Sequence, residues 1–98
     1  MPQWAVHRLG DTNMVLDIQS DMIGAAGTRI VIPLVPKDDL PNVDRRLLPV
    51  VLAGDVALHA LTLGVTAVPT AALGPALMNA AGAREDVTRA LDMVLGGV

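Results

Sequence analysis

A small, β-rich α+β fold is what this chain predicts, and three observations carry the expectation. Its apolar residues fall mostly in short runs rich in Val, Ile and Leu, bounded by Gly, Asp, Asn or Pro. Only the last segment spaces its apolar residues as a helix does. The 98 residues are enough for one domain, 1–98, and a chain of this size buries less of its surface than a larger one.

Residues 3–9 alternate loosely between apolar and polar and predict a first strand. Gly10, Asp11, Thr12 and Asn13 form a turn, because Gly, Asp and Asn tolerate unusual backbone angles and Asp and Asn bond their own backbone. Residues 14–19 predict a second strand, so the two make a hairpin. Residues 20–28 set Met22 and Ile23 among Ser, Asp, Gly and Thr, which is a polar loop carrying two exposed apolar side chains. Residues 29–35 predict a strong strand, with Ile30, Val31 and Ile32 β-branched in a row and Pro33 and Pro36 to end it. Residues 37–46 are the most charged segment, a surface loop with room for one helical turn. Residues 47–53 predict a buried strand, Gly54-Asp55 a hairpin turn, and 56–63 the returning strand. Residues 65–68 are a candidate short strand before Pro69, and 70–82, rich in Ala and Gly, are ambiguous. The helix is expected over 83–95, where Val87, Ala90, Leu91, Val94 and Leu95 form an apolar stripe. Glu85 and Asp86 suit its positive end, and Gly96 with Gly97 stops it. The sum is five or more short antiparallel strands and one C-terminal helix.

Composition constrains partners. The chain is 52% apolar with Trp4 its only aromatic residue, so the core must be aliphatic. The mean hydropathy of +0.51 leaves apolar surface to spare, and a homodimer is the simplest cover for it; an apolar-surfaced monomer is the alternative. A membrane span needs roughly 18–20 uninterrupted apolar residues. The longest stretch, 56–73, is broken by His59, Thr62, Gly64, Thr66, Pro69 and Thr70. No basic region precedes an apolar block at the start, so no signal peptide is expected. The absence of cysteine removes disulfides and thiol chemistry and fits a cytoplasmic location. The net charge is −3, and seven scattered Lys and Arg make no basic patch, so direct nucleic-acid binding is not expected.

Candidates for chemistry are few. His7 and His59 lie far apart in predicted strands, without metal-ligand spacing, and no metal or cofactor is expected. Ser20 beside Asp21 lacks the G-x-S-x-G elbow of a serine nucleophile. Asp17 and Asp21 would serve as acid and base only beside an electrophile; a polar loop bonded to its own backbone is the simpler account. Arg45-Arg46 invites a phosphate, but Asp38, Asp39 and Asp44 stand close in sequence, and a solvated loop is preferred. Gly24 and Gly27 do not make a phosphate cradle. No enzymatic constellation emerges, which favours a protein that acts by binding and is not an enzyme.

One ordered set of segments goes further. Leu16-Asp17-Ile18-Gln19-Ser20-Asp21-Met22-Ile23 is followed by Arg29-Ile30-Val31-Ile32-Pro33-Leu34, then Leu48-Pro49-Val50-Val51, Gly54-Asp55, Val68-Pro69, Gly74 and Arg84-Glu85-Asp86. In order and spacing these resemble the CcdB family over nearly the whole chain. The resemblance implies a homodimer with a small SH3-like barrel of antiparallel strands, an added small sheet and a C-terminal helix. It also implies a toxin of a toxin–antitoxin pair that binds the DNA gyrase A subunit and traps the gyrase–DNA cleavage complex. A partly disordered antitoxin would neutralise it. The gyrase contact implied falls on Ser20, Asp21, Met22 and Ile23, and on Asp92, Gly96, Gly97 and Val98. The chain departs at Gly96, since family toxins typically end in Trp-Gly-Ile. Losing such a Trp anchor commonly costs ~2 kcal/mol, a factor of about 30 in affinity. A CcdB-like binding domain without gyrase poisoning is the alternative. A ribonuclease of the same fold would need a basic groove and an acid–base pair, which this acidic chain lacks.

Overall fold

Alternation of apolar and polar residues works here on both faces of one curled sheet. The computed structural model describes residues 3–23 and 27–96. In chain order the elements are β1 (Ala5–Leu9), β2 (Asn13–Asp17), β3 (Thr28–Val35), β4 (Val50–Ala53), β5 (Val56–Ala60), β6 (Thr66–Pro69), β7 (Leu73–Asn79) and α1 (Arg84–Val94). The strands pair antiparallel in the order β4-β5-β3-β2-β1-β7, and β6 pairs with β3 beside that path. The result is a half-barrel with one C-terminal helix.

β3 is the strand that holds this together. Its first half pairs with β6, Ile30 opposite Ala67. Its second half runs along β2, Ile32 opposite Leu16, and its end carries β5 through Leu34 opposite Ala60 and Val35 opposite His59. Register then sorts side chains by parity. Val6, Leu16, Ile32 and Leu34 share one face and make the main core with Val51, Leu58 and Val87 of α1. Val15 and Val31 share the other face and make a smaller core with Leu73. A strand covered on both sides needs consecutive apolar residues, which is why Val31-Ile32 and Val15-Leu16 are buried in adjacent pairs. α1 buries Val87 and Ala90 and packs on the turns at Arg45–Leu47 and Thr62–Gly64.

Three elements differ from expectation. The strand expected over 47–53 is reduced to β4, and it is not fully buried: Val50 and Leu52 are 48% and 66% exposed. β4 is the end of the sheet, and only Val51 and Ala53 turn inward. The strand expected over 56–63 stops at Ala60, because the Thr62 hydroxyl donates to Leu47 O (2.6 Å) and ties a tight turn, Thr62–Gly64, beneath α1. The ambiguous stretch resolves into β7, whose pairing with β1 shifts register on either side of His7. Pro75 is tolerated there because β7 is an edge strand, where a missing N–H leaves no ladder bond unmade. The charged loop 37–46 contains two short turns, Lys37–Asp39 and Arg45–Leu47.

Candidate functional site

Odd-numbered positions of β1, β2 and β3 face the smaller core, and the buried polar side chains of these strands collect there: His7, Asp17 and Arg29, with Gln19 just beyond β2. Asp17 and Arg29 form a two-pronged ion pair, Arg29 Nε to Asp17 Oδ2 at 2.7 Å and Nη2 to Oδ1 at 2.9 Å. Donation of its hydrogen bonds to the Asp17 carboxylate raises the Arg29 pKa above its ordinary value, with burial opposing it. Arg29 Nη2 also donates to Gln19 O (3.3 Å), and Asp17 Oδ1 accepts from Gln19 N (3.0 Å). The Gln19 amide then spans the loop: its oxygen accepts from Ile30 N (3.1 Å) and its nitrogen donates to Ile23 O (2.8 Å).

This buried network braces an exposed tip. Asp21–Ile23 form a single tight turn. The Ser20 hydroxyl accepts from Met22 N (3.2 Å), Ser20 O accepts from Ile23 N (3.0 Å), and Asp21 Oδ1 accepts from Gln3 N (2.7 Å). With its backbone so committed, the turn leaves Met22 94% and Ile23 56% exposed. Met22 and Ile23 are thus two neighbouring apolar side chains held in water by a braced turn. Sequence reasoning placed both side chains correctly but missed the brace. Arg29 was legible only as a charge opening an otherwise apolar strand.

The same bonds settle the Asp17 and Asp21 pair. Asp17 is buried against Arg29 and Asp21 holds the backbone of Gln3, so the two carboxyls serve separate structural tasks. The loop does bond its own backbone, at Gln19 N and Met22 N, but the dominant partner of Asp17 is Arg29, twelve positions away. His7 is buried with Nδ1 on Gly74 O (2.9 Å), and His59 is half-buried with Nδ1 on Leu48 O (2.9 Å). Among the described residues no group of His, Cys, Asp and Glu is placed to hold a metal ion, and no helix is long and apolar enough to cross a membrane.

The second part of the expected contact surface is on α1. Asp92 is exposed in a shallow cleft with Arg84, Thr88 and Arg89. Leu95 is 77% exposed, and Gly96 takes φ +92°, a left-handed conformation that favours glycine. Gly97 and Val98 lie outside the described residues. The cationic residues are less scattered than they look in sequence. Arg45, Arg46 and Arg89 line one groove of about 280 Å³ together with Asp86. Their charge is partly spent, however. Arg46 grips Asp44 at 2.7 Å and Arg89 approaches Asp86 at 3.4 Å. The Arg46 side chain, with its backbone N–H, lowers the Asp44 pKa to about 2.

Among solved structures the fold is matched by an endoribonuclease from Mycobacterial species, with a TM-score of 0.78 and 12% identity over 98% of this chain and 92% of that one. At that identity the likeness is one of fold. The sequence profile of the CcdB protein matches residues 3–97. With nearly the whole chain matched, and with the curled sheet and C-terminal helix in place, the protein belongs to the CcdB family.

Proposed function

We propose that this protein is a CcdB-type toxin that acts by binding, with the A subunit of DNA gyrase as target and a partly disordered antitoxin as its neutralising partner. The observation that carries the reading is the tip: Met22 at 94% exposure and Ile23 beside it, on a turn whose backbone is tied by Ser20, Gln19 and Asp21. A pre-ordered turn loses little backbone freedom on binding, which suits a segment that carries apolar anchors. Asp92, Gly96, Gly97 and Val98 supply the second contact. A homodimer is part of the proposal, since Val50, Leu52 and Val56 leave apolar surface on the β4–β5 hairpin.

Gly96 favours a second reading, a CcdB-like binding domain that no longer poisons gyrase, because glycine stands where the family carries its tryptophan anchor. A nuclease activity, which the matched endoribonuclease brings to mind, finds less support. His7 is buried, Asp17 and Arg29 are spent on each other, and His59 is half-buried and bonded to the backbone.

Growth arrest on expression, together with capture of a purified gyrase A fragment, tests the first reading against the second. The wild-type chain is expected to arrest growth and retain the fragment. Met22→Asp should weaken retention by about 30-fold, the equivalent of one lost anchor of ~2 kcal/mol. Neither arrest nor retention by the wild-type chain would sink the gyrase reading and leave the second.

A further inference from the structure

We propose that Met22 is an oxidation site, and that converting its thioether to the sulfoxide with a peroxide switches the tip from an apolar to a polar surface. The proposal rests on the tip being the partner-binding surface. Met22 is 94% exposed, whereas Met14, Met78 and Met93 are half-buried against the body of the protein. Thioether oxidation follows access to solvent, so among these four Met22 reacts first. The conversion is a two-electron oxidation of sulfur. The sulfur lone pair attacks one peroxide oxygen, the S–O bond forms as the O–O bond breaks, and the departing hydroxide takes up the peroxide's proton to leave as water.

Four features make the modification a switch rather than damage. The Met22 side chain contributes nothing to either core, so the sulfoxide leaves the fold intact. The turn holds through backbone and Ser20, Gln19 and Asp21 groups that the oxidation does not touch, so the polar sulfoxide occupies the place of the apolar thioether. A polar oxygen carried into a dry interface without a hydrogen-bond partner opposes binding. The sulfoxide is also reducible by methionine sulfoxide reductases, which makes the change reversible.

Titration of the folded protein with hydrogen peroxide, followed by peptide mapping, tests the order of reaction. Met22 should be oxidised ahead of Met14, Met78 and Met93, with the circular dichroism spectrum unchanged. The singly oxidised protein should bind the gyrase A fragment at least about tenfold more weakly, recover on treatment with the reductases, and elute earlier from a phenyl matrix. Met22→Leu, compared only with itself, should show the same phenyl retention before and after peroxide. Oxidation of Met14, Met78 or Met93 ahead of Met22, or a Met22 sulfoxide that leaves both binding and phenyl retention unchanged, overturns the proposal. Should the untreated chain bind no gyrase, that reading falls by itself. The oxidation order and the change in phenyl retention on peroxide treatment, present in wild type and absent in Met22→Leu, still decide this one.

Discussion

Asp17 and Arg29 meet in a place where neither charge reaches water, and the tip depends on their staying together. Removing one partner strands the other. Asp17→Ala or Arg29→Ala should each cost about 3–5 kcal/mol in urea denaturation, because an uncompensated buried charge is far worse than none. The double replacement Asp17→Leu/Arg29→Met should recover most of that loss, and a double mutant no better than either single would refute the account. Asp44 and Arg46 form the contrasting pair, since both are exposed. The Asp44 pKa falls from its ordinary 3.8 to about 2 on folding, so any stabilisation is complete above 3.8 and fades as pH falls through 2. A carboxyl titration followed by NMR should show the Asp44 midpoint rise towards 3.8 in Arg46→Ala, with the melting temperature at neutral pH unmoved. At this scale the sequence offered Asp17 and Asp21 as neighbours in one loop. That Asp17 belongs to Arg29 is a consequence of sheet register, and no local pattern announces it.

The elements that were legible are those whose burial is read from their own residues. β3 is an apolar β-branched run that carries Pro33 inside it, paired with Val15, and stops before Pro36 rather than at both prolines; α1 carries its stripe and its stop in sequence. β7 is different. Leu73-Gly74-Pro75-Ala76 has poor strand propensity, and it is a strand because β1 offers an edge for it to pair with. The same dependence on neighbours explains β4, where a run of apolar residues suggests burial on both faces but the sheet ends and leaves Val50 and Leu52 in water. The hairpin between β4 and β5 turns on Gly54, whose φ of +66° lies in the left-handed region. A Cβ there meets nothing within 4 Å, so the cost of Gly54→Ala is purely that of backbone conformation, about 1–2 kcal/mol. For a domain of this size that is a fall of roughly 4–16 °C in melting temperature. Gly54→Asn, which tolerates this conformation better, should fall less. Equal losses for both would mean that the turn is held by something other than its backbone angle.

Over the whole molecule, the proposed contact surface has two ends built by different means. The tip is an apolar pair on a braced turn, visible in sequence as Met22 and Ile23 within polar neighbours. The other end follows α1, where Leu95 is exposed and the backbone swings at Gly96 into a conformation that side chains resist. The identity of residue 96 was legible in the sequence, and its φ of +92° is the left-handed turn that a glycine just past a helix end commonly makes. That angle decides what restoring the missing anchor would achieve. A tryptophan hot spot commonly supplies ~2 kcal/mol, a factor of about 30 in affinity. Holding a side chain in the left-handed region costs about 1–2 kcal/mol against it. Gly96→Trp is therefore expected to tighten binding to the gyrase A fragment by well under tenfold, measured as a ratio of Kd values by calorimetry. A full 30-fold gain would mean that the chain abandons the +92° conformation to seat the ring. A gain that vanishes when Met22→Asp is added would mean that the ring binds only once the tip has engaged, and that the two ends act as one surface.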